Sequence, residues 1–398
     1  MSFKICRLKK NEDKRLRAGH VWIYSNEIDT QVTPLKNFAM GETVIIEAHD
    51  KKPLGLAYIN PHSLITARLF TRDLNEPLDL KFLLKHMQIA LALREELYNK
   101  PYYRLIFGES DGLPGLVVDR YNDILVIQIT TAGMDNKTAL IIDALQIILP
   151  SIQSILLRND SPARLQEHLS QEIKAGLNTP PENVLLEENN TFFYAPLWTG
   201  QKTGWFYDHR LNRLRLHSYV HGKHVLDVFS YLGGWGIQAA CAGAEQVICI
   251  DSSKLSNKAI SENAQLNKVH HKIKTIEEDA FVALKNLIAA EKKFDVIILD
   301  PPAFVKKKKD KKEGLLAYQR INEAAMKLLT PQGVLITCSC SMHVSNEDFL
   351  DLLRRASLHC KIPFQMIERG SQAPDHPIHL AIPETDYLKM IILRKRGI

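Results

Sequence analysis

The stretch VLDVFSYLGGWG at residues 225–236 decides the fold class of this chain. Its apolar beginning is typical of a buried strand that ends at Asp227, and Gly233, Gly234 and Gly236 follow within nine residues. An acid at a strand end, followed by a glycine-rich loop, is typical of an open α/β sheet that binds a nucleoside-like ligand over its carboxyl edge. We therefore predict such a sheet here.

Strand and helix patterns alternate along the chain from about residue 192. The predicted strands are 225–229, 247–250, 274–277, 296–299, 334–337 and 388–393. Continuous apolar strands joined by helices predict a parallel sheet covered on both faces. Because right-handed crossovers bring the strand ends to one edge, we expect Asp227, Asp251, Asp279 and Asp300 to converge there.

The remaining sequence predicts two smaller domains. Residues 1–73 contain short strand patterns separated by turn residues, which indicate a small β-barrel. Residues 74–191 combine helical spacing with further strands and predict an α+β middle domain. The predicted fold class is therefore α/β, with the open sheet at 192–398 as the third domain.

Composition limits the function classes. The 398 residues carry a net charge of +6, a mild excess that is compatible with a polyanionic partner. The chain has no apolar run near the ~18 residues of a membrane helix and starts with a charged segment, so we predict a cytoplasmic protein without membrane contact. The six cysteines form no C-x-x-C pair, so we predict no bound metal.

The strand-end acids indicate the type of cofactor. A pyrophosphate loop of the G-x-G-x-x-G type is missing after the first strand, which argues against a nicotinamide dehydrogenase. S-adenosylmethionine has no phosphate and carries a sulfonium and an amino group, so nearby acids suit it. Asp251 is placed to accept ribose hydroxyls, and Asp279 with Phe281 to contact adenine. The predicted cofactor-binding residues are Asp227, Phe229, Gly233, Gly234, Gly236, Asp251, Ser252, Asp279, Ala280, Asp300 and Pro301.

Two short motifs predict the chemistry. In DPPAF at 300–304 the two prolines stiffen the strand end and fix the direction of Asp300. In TCSCS at 337–341, Cys338 and Cys340 share one face of an extended strand. A thiolate that adds to carbon 6 of cytosine makes carbon 5 nucleophilic, while an acid assists at N3. We predict Cys340 as the nucleophile because it is nearer the loop edge, with Cys338 as the alternative and Asp300 as the catalytic carboxylate.

Basic segments predict RNA contacts in two places. Lys306, Lys307, Lys308 and Lys309 directly follow DPPAF, beside the predicted catalytic edge. In the N-terminal domain, Arg17, His20 and Trp22 belong to a basic and aromatic cluster that is typical of RNA-binding modules. The lysines would bind phosphates without sequence preference. The alternatives are a solvated lysine loop and a packed aromatic core.

Several segments resemble one known family. They are GQKTGWFYDHRLNR at 200–213, the 225–236 loop, DPPAF, TCSCS, the 373–377 segment, Pro383 with Glu384, and 387–389. Together they resemble the bacterial 5-methylcytosine methyltransferases of large-subunit (23S) ribosomal RNA. The family usually has a basic residue where this chain has Ala303.

This resemblance implies three domains: a PUA-like RNA-binding domain at 1–73, a middle domain at 74–191 and a Rossmann-like class I methyltransferase domain at 192–398. It also implies S-adenosylmethionine as cofactor, large-subunit rRNA as partner, and a motif cysteine with Asp300 for chemistry. It leaves the oligomeric state open, with a homodimer as one option.

Two other functions remain open at this point. An Asp-Pro-Pro motif also suits methylation of a base amino group, in which an aromatic side chain stacks on a flipped base and no thiol is needed. Ala303 directly after the prolines argues against this reaction, although Phe304 offers a ring one residue later. The second alternative is a non-catalytic RNA-binding or ribosome-assembly protein that retains a site for S-adenosylmethionine.

Overall fold

The computed structural model describes residues 3–396. These residues form two compact units. The first unit comprises the chain up to residue 184 together with 196–207 and 374–385, and the second comprises 185–195, 208–373 and the chain from 386 onward. No helix in the described part of the chain is long and apolar enough to cross a bilayer.

The N-terminal part of the first unit is a five-stranded sheet with one short helix. The elements are β1 (Lys4–Arg7), α1 (Lys14–Arg17), β2 (Trp22–Tyr24), β3 (Glu42–Glu47), β4 (Pro53–Ile59) and β5 (Ile65–Thr71). The order is β1-β3-β4-β5-β2, and only β1 and β3 pair in parallel. The three strands predicted between residues 43 and 70 are present as β3, β4 and β5.

A second five-stranded sheet follows in the same unit. Its elements are α2 (Leu80–Leu97), β6 (Tyr102–Phe107), β7 (Leu116–Tyr121), β8 (Ile124–Ile129), α3 (Ala132–Asp135), α4 (Thr138–Ile148), β9 (Ser154–Asn159), α5 (Ala163–Gln166) and β10 (Glu172–Leu177). The strand order is β10-β9-β8-β7-β6. Apolar side chains of α2 such as Phe82 and Met87 pack into the same core as Ile127 of β8, which agrees with the predicted mixture of helices and strands.

A buried acid, Glu167, joins the two sheets of the first unit. Glu167 is only 2% exposed, and its side-chain oxygens accept hydrogen bonds from Asn60 Nδ2 at 2.9 Å, Ser63 Oγ at 2.8 Å and Arg68 NH1 at 2.8 Å. The backbone N–H of Ala132 adds a contact at 3.3 Å. Arg68 belongs to β5, and Asn60 and Ser63 belong to the loop between β4 and β5, so Glu167 binds groups on the N-terminal side of residue 73. The domain boundary at residue 73 stays a prediction.

The second unit contains a small hairpin and a seven-stranded sheet. The strands are β11 (Asn183–Glu188) and β12 (Thr191–Pro196) of the hairpin, then β13 (His224–Val228), β14 (Gln246–Asp251), β15 (Ile273–Glu277), β16 (Phe294–Leu299), β17 (Leu329–Ser339), β18 (Phe364–Gly370) and β19 (Lys389–Lys395). The large sheet has the order β15-β14-β13-β16-β17-β19-β18. Its first five strands are parallel, as predicted.

The prediction of a wholly parallel sheet is wrong at one edge. β19 runs antiparallel to both β17 and β18. A single apolar run carries no information about strand direction, which depends on how the chain returns to the sheet. The return places Lys389 opposite Ser339, next to the cysteine motif.

The helices of the second unit lie between its strands. They are α6 (Arg210–Leu216), α7 (Gly234–Cys241), α8 (Lys254–Leu266), α9 (Ala280–Ala289), α10 (Lys311–Leu328) and α11 (Asn346–Cys360). The sequence pattern also predicts a helix over 280–289, and α9 has those bounds. The sequence pattern predicts a helix from residue 318, but α10 begins earlier, at Lys311, so that Lys311 and Lys312 form its first turn after the lysine run.

Candidate functional site

Acids of the second unit converge at the carboxyl edge of the large sheet, as predicted. Asp227 and Asp251 belong to the neighbouring strands β13 and β14, and Asp300 directly follows β16 on the other side of β13. Asp279 lies after β15 and caps α9. Three consecutive strand ends and the start of a helix therefore present carboxylates along one edge.

Asp227 holds the glycine loop through hydrogen bonds. Its carboxyl is fully buried, Oδ2 accepts the N–H of Gly236 at 2.9 Å, and its backbone carbonyl accepts Ser230 Oγ at 2.8 Å. Burial raises the pKa of the Asp227 carboxyl to about 7. Oδ1 is buried and has no hydrogen-bond partner among the described residues. An unsatisfied buried oxygen calls for a donor, and a ligand amino group is one candidate.

The loop from Phe229 to Gly233 holds an unusual backbone. Phe229 and Tyr231 have φ values of 68° and 50°, which residues with a Cβ rarely adopt. Gly233 also has a positive φ, of 82°, and precedes α7, whose first residue is the buried Gly234. A Cβ on Gly236 would lie 2.6 Å from Cys249 Sγ, so this glycine lets α7 approach the sheet closely. The glycines thus shape the loop, a role additional to the predicted contact with a ligand.

Asp251 holds two backbone groups of the same edge. Oδ2 accepts the N–H of Tyr231 at 2.9 Å, and Oδ1 accepts the N–H of Ser253 at 2.9 Å. A carboxylate has about four acceptor positions, so each oxygen retains capacity for another donor. Ser252, which lies between Asp251 and Ser253 in the chain, is exposed.

Asp279 and its neighbours lie at the outer part of this edge. Asp279 Oδ1 accepts the N–H groups of Phe281 at 2.9 Å and Val282 at 3.2 Å and so caps α9. Ala280 is buried, whereas Phe281 is 37% exposed, 6.2 Å between ring centres from Phe304 of DPPAF. The exposed ring of Phe281 is available for stacking, in keeping with its predicted contact with adenine.

Asp300 is held by two side chains that the sequence motifs did not pair with it. Oδ1 lies 3.2 Å from His209 Nε2, and Oδ2 accepts Trp235 Nε1 at 3.0 Å. Burial alone would raise the pKa of Asp300, but the charge and hydrogen bond of His209 and the Trp235 donor lower it below its ordinary value. The same pairing raises the pKa of His209 against the effect of its burial. Asp300 is therefore a carboxylate at neutral pH.

A second buried ion pair explains why His209 and Trp235 meet. Glu188 of β11 accepts two hydrogen bonds from Arg213 of α6, at 2.6 and 3.0 Å, and one from Gln238 of α7 at 2.9 Å. His209 immediately precedes α6, and Trp235 is in the first turn of α7. By fixing the two helices to each other, Glu188 positions both partners of Asp300.

The two cysteines of TCSCS differ in exposure as predicted. Cys338 is fully buried, and burial raises the pKa of its thiol well above the ordinary value. Cys340 is half-buried, and its Sγ lies 3.9 Å from the carbonyl oxygen of Pro301, whose ring is buried. Cys338 Sγ also lies within 4.8 Å of ligand-type atoms of His209 and Asp300. These three side chains are close enough to share a metal ion, but the Cys338 thiol is protonated and the other two atoms bind each other. The absence of a metal stays a prediction.

Hydrogen bonds tie the DPPAF loop to the end of the cysteine strand. Ser341 Oγ accepts the N–H of Val305 at 3.2 Å and pairs with Tyr318 Oη at 2.9 Å. Lys389 of β19 donates to the Ser341 carbonyl at 2.8 Å. The backbone on either side of Cys340 is therefore fixed relative to Pro301.

The residues predicted to contact RNA lie in different environments. Lys306, Lys307, Lys308 and Lys309 are all exposed. Arg17 is exposed and forms an ion pair with Asp13 at 2.5 Å. These RNA contacts stay predictions.

The aromatic cluster of the first unit is more tightly packed. Trp22 is half-buried and donates its Nε1 to Glu109 at 2.8 Å, and His20 is buried with Nδ1 accepting the N–H of Trp22 at 3.0 Å. His20 thus supports the backbone at Trp22, and its predicted contact with RNA also stays a prediction.

Sequence reasoning missed three side chains of this edge: His209, Trp235 and Lys389. All three fall inside segments that carried the family resemblance, at 200–213, 225–236 and 387–389. The signal was present, but no local spacing connects such distant residues with Asp300 or Cys340. Only the folded domain brings them together.

Two family models match different parts of the chain. Residues 6–72 match a PUA-like domain, and residues 213–352 match the family described as conserved hypothetical protein 95. The first match covers the five-stranded N-terminal sheet, and the second covers the parallel strands with the acid cluster.

Solved structures and curated relatives extend these matches. A candidate SAM-dependent methyltransferase from Streptococcus mutans shares 20% identity over 98% of this chain and 100% of its own, with a TM-score of 0.83. A candidate methyltransferase solved with S-adenosylhomocysteine gives 20% identity, coverage of 99% and 100%, and a TM-score of 0.84. Both confirm the predicted fold class.

The ribosomal RNA large subunit methyltransferase I of Aliivibrio fischeri is 38% identical over 389 residues, 96% of this chain and 97% of its own. The chain therefore belongs to the ribosomal RNA large subunit methyltransferase I family.

Proposed function

We propose that this protein transfers a methyl group from S-adenosylmethionine to carbon 5 of a cytosine in large-subunit ribosomal RNA, through a covalent bond between Cys340 and the base. Family membership supports methyl transfer from S-adenosylmethionine to this class of RNA. The observation that carries the cytosine-specific chemistry is the half-buried thiol of Cys340, held 3.9 Å from the Pro301 carbonyl at the edge where the acids converge.

The acid-lined edge suits S-adenosylmethionine, which supplies an electrophilic methyl group on a sulfonium when bound. The buried Oδ1 of Asp227 lacks a donor in the described structure, and the ligand's ammonium is a donor of the right charge. Asp251 keeps acceptor capacity for the two ribose hydroxyls, and the exposed Phe281 ring provides a surface for adenine. These residues, with the loop at 229–236, form the proposed cofactor site.

Cys340 is the better nucleophile of the two cysteines. A thiolate must reach carbon 6 of the base, and Cys338 is fully buried with its pKa raised, so it is neither accessible nor ionised. Addition of the Cys340 thiolate to carbon 6 shifts ring electrons to carbon 5, which then accepts the methyl group. A base removes the proton on carbon 5, and the thiolate leaves as the C5–C6 double bond re-forms.

The acid for this reaction is better described as a pair than as Asp300 alone. Because its pKa is lowered, Asp300 is ionised at neutral pH and has no proton to give. His209, 3.2 Å away, has a raised pKa and holds the proton of the pair. We propose that this shared proton assists at N3 of cytosine as the thiolate adds, and that Trp235 keeps the carboxylate oriented.

The main alternative, methylation of a base amino group, finds less support. That reaction needs an aromatic ring that stacks on the flipped base, and Ala303 stands directly after the two prolines where such a ring is expected. It also leaves the half-exposed Cys340 without a role. The non-catalytic alternative leaves the ionised Asp300–His209 pair unexplained.

The experiment that tests this proposal maps 5-methylcytosine in ribosomal RNA from cells with and without the protein, at single-nucleotide resolution. One cytosine of the large subunit should lose its modification when the protein is removed and regain it with the wild type but not with Cys340→Ala. Loss of a methyl group at a base nitrogen instead would replace this proposal by the amino-group alternative. An unchanged modification map would favour the non-catalytic function.

A further inference from the structure

A buried lysine lies beside the proposed nucleophile. Lys389 of β19 is only 3% exposed and pairs in antiparallel register with Ser339, the residue before Cys340. Its Nζ donates to the carbonyl of Ser341, the residue after Cys340, at 2.8 Å. The side chain of Lys389 therefore spans the backbone of Cys340 and brings a basic nitrogen to the end of β17.

The surroundings of this lysine supply little compensating charge. Cys340 is the strongest of the groups that favour its protonated form, ahead of Asp386 and Asp348. Asp348 is already paired with Lys311 at 2.7 Å, so its charge is largely neutralised. Burial dominates and lowers the pKa of Lys389 to about 8, which makes its nitrogen a base near neutral pH.

Three other ionisable groups at this end of the sheet are neutral or engaged elsewhere. Burial raises the pKa of Tyr318 to about 12, and burial also keeps the Cys338 thiol protonated. Asp300 is bound by His209 and Trp235. Lys389, in contrast, is a cation that interacts electrostatically with Cys340.

We propose that Lys389 is a positioning residue whose amine takes the proton of the Cys340 thiol and, as an ammonium, stabilises the resulting thiolate. The S–H bond breaks and an N–H bond forms, so the step needs no further reactant. The inference rests on the proposed function, because it explains how the nucleophile of that reaction acquires its charge. A cation that interacts with a thiolate stabilises it and so lowers the pKa of the thiol.

The test measures alkylation of Cys340 by iodoacetamide as a function of pH, without RNA or cofactor. The peptide that carries Cys340 separates it from four of the other cysteines, and fragment-ion mass spectrometry distinguishes it from Cys338 on the same peptide. The midpoint of the rate profile reports the ionisation of the thiol directly. In Lys389→Met it should move up by about one pH unit or more relative to the wild type.

Lys395→Met is the matched control. Lys395 is on the same strand and donates its Nζ to the Leu329 carbonyl at 3.0 Å, at the other end of β17. This variant removes a similar lysine–carbonyl bond but should leave the Cys340 midpoint unchanged. Lys389→Arg keeps a positive charge at the original position and should keep the midpoint low, even if Lys389→Met fails to fold.

Two results would overturn the inference: equal midpoints in folded Lys389→Met and wild type, or a Lys389→Arg midpoint near 8.5, the ordinary value for a cysteine. Neither result touches the proposed methyl transfer, which the modification map tests. Conversely, a shifted midpoint in a protein that forms no 5-methylcytosine would support Lys389 and refute the cytosine reaction.

Discussion

Asp227 lies in β13 and Asp300 directly follows the neighbouring strand β16, yet their electrostatic environments are opposite. Both carboxyls lie below the surface, but the pKa of Asp227 is raised to about 7 by burial, whereas that of Asp300 is lowered because His209 and Trp235 outweigh burial. Partners rather than depth decide the charge. The Asp227 side of the edge is suited to holding a ligand, and the Asp300 side combines a charged pair with the thiol of Cys340.

This difference implies that variants on the two sides should fail in different ways. Changes near Asp300 and Cys340 should affect turnover, and changes near Asp227 and Asp251 should affect ligand binding or stability.

The largest effect is expected for Cys340→Ala, which should form no product and keep its affinity for S-adenosylhomocysteine. RNA containing 5-fluorocytosine should trap the wild type covalently, because fluorine cannot leave as a proton, and the adduct should appear as a denaturation-resistant band. Cys338→Ala is the control, since it removes a buried thiol and should cost stability without abolishing turnover. Activity in Cys340→Ala with loss in Cys338→Ala would reassign the nucleophile.

Asp300→Asn should lower kcat by about 10²–10⁴-fold, the usual contribution of acid–base assistance. The amide keeps the shape but removes the charge that raises the pKa of His209. Binding of S-adenosylhomocysteine, measured by calorimetry, should change much less than kcat. A loss of affinity as large as the loss of turnover would place Asp300 mainly in the cofactor site.

Asp251→Ala should weaken binding of S-adenosylmethionine and S-adenosylhomocysteine by roughly 2–4 kcal/mol, the cost of two hydrogen bonds to a charged acceptor. Part of this loss would come from the loop, because Asp251 also holds the N–H of Tyr231. Calorimetry on both ligands measures the effect, with Glu262→Ala on the exposed face of α8 as the control. Unchanged affinity, or tight binding of NAD, would contradict the cofactor assignment.

Asp227→Asn should change how stability depends on pH. With a folded pKa of about 7, above its unfolded value, Asp227 makes the folded state bind one more proton between about pH 4 and 7, so wild-type stability falls as pH rises through this window. The amide removes that penalty, and the variant should gain up to roughly 1.4 kcal/mol per pH unit relative to the wild type. Chemical unfolding at pH 5, 6 and 7 measures the trend, and a pH-independent difference would show that Asp227 is charged in the fold.

The smallest effect concerns the lysine run, which lies outside both sides of the edge. Neutralising Lys306–Lys309 should weaken RNA binding evenly across sequences. It should also flatten the salt dependence by up to about 0.7 log units per lost contact with a single-strand phosphate. Neutralising the exposed Lys285 of α9 and the exposed Lys292, which follows that helix, provides the control. An unchanged slope for the first variant would identify the run as a solvated segment.

The sequence was sufficient to predict the strand ends at Asp227, Asp251 and Asp300, because each of these acids directly follows or ends an apolar run. It also predicted that Cys338 is more deeply buried than Cys340, whose role as nucleophile stays a prediction. It could not pair Asp300 with His209, since that contact depends on the Glu188–Arg213 bond between β11 and α6. The direction of β19 was equally hidden, and with it the position of Lys389. Contacts between residues that are distant in the sequence could thus not be predicted from local sequence patterns.

Glu167 has a consequence for how the N-terminal module can be inherited or engineered. A fragment that ends at residue 73 would leave Arg68, Asn60 and Ser63 facing solvent or one another without their shared carboxylate. The fragment would therefore lose both the ion pair of Arg68 with Glu167 and the burial of these side chains. We therefore expect the PUA-like module to be less stable when it is separated from Glu167, and a fusion or domain graft that moves it should include the chain through Glu167.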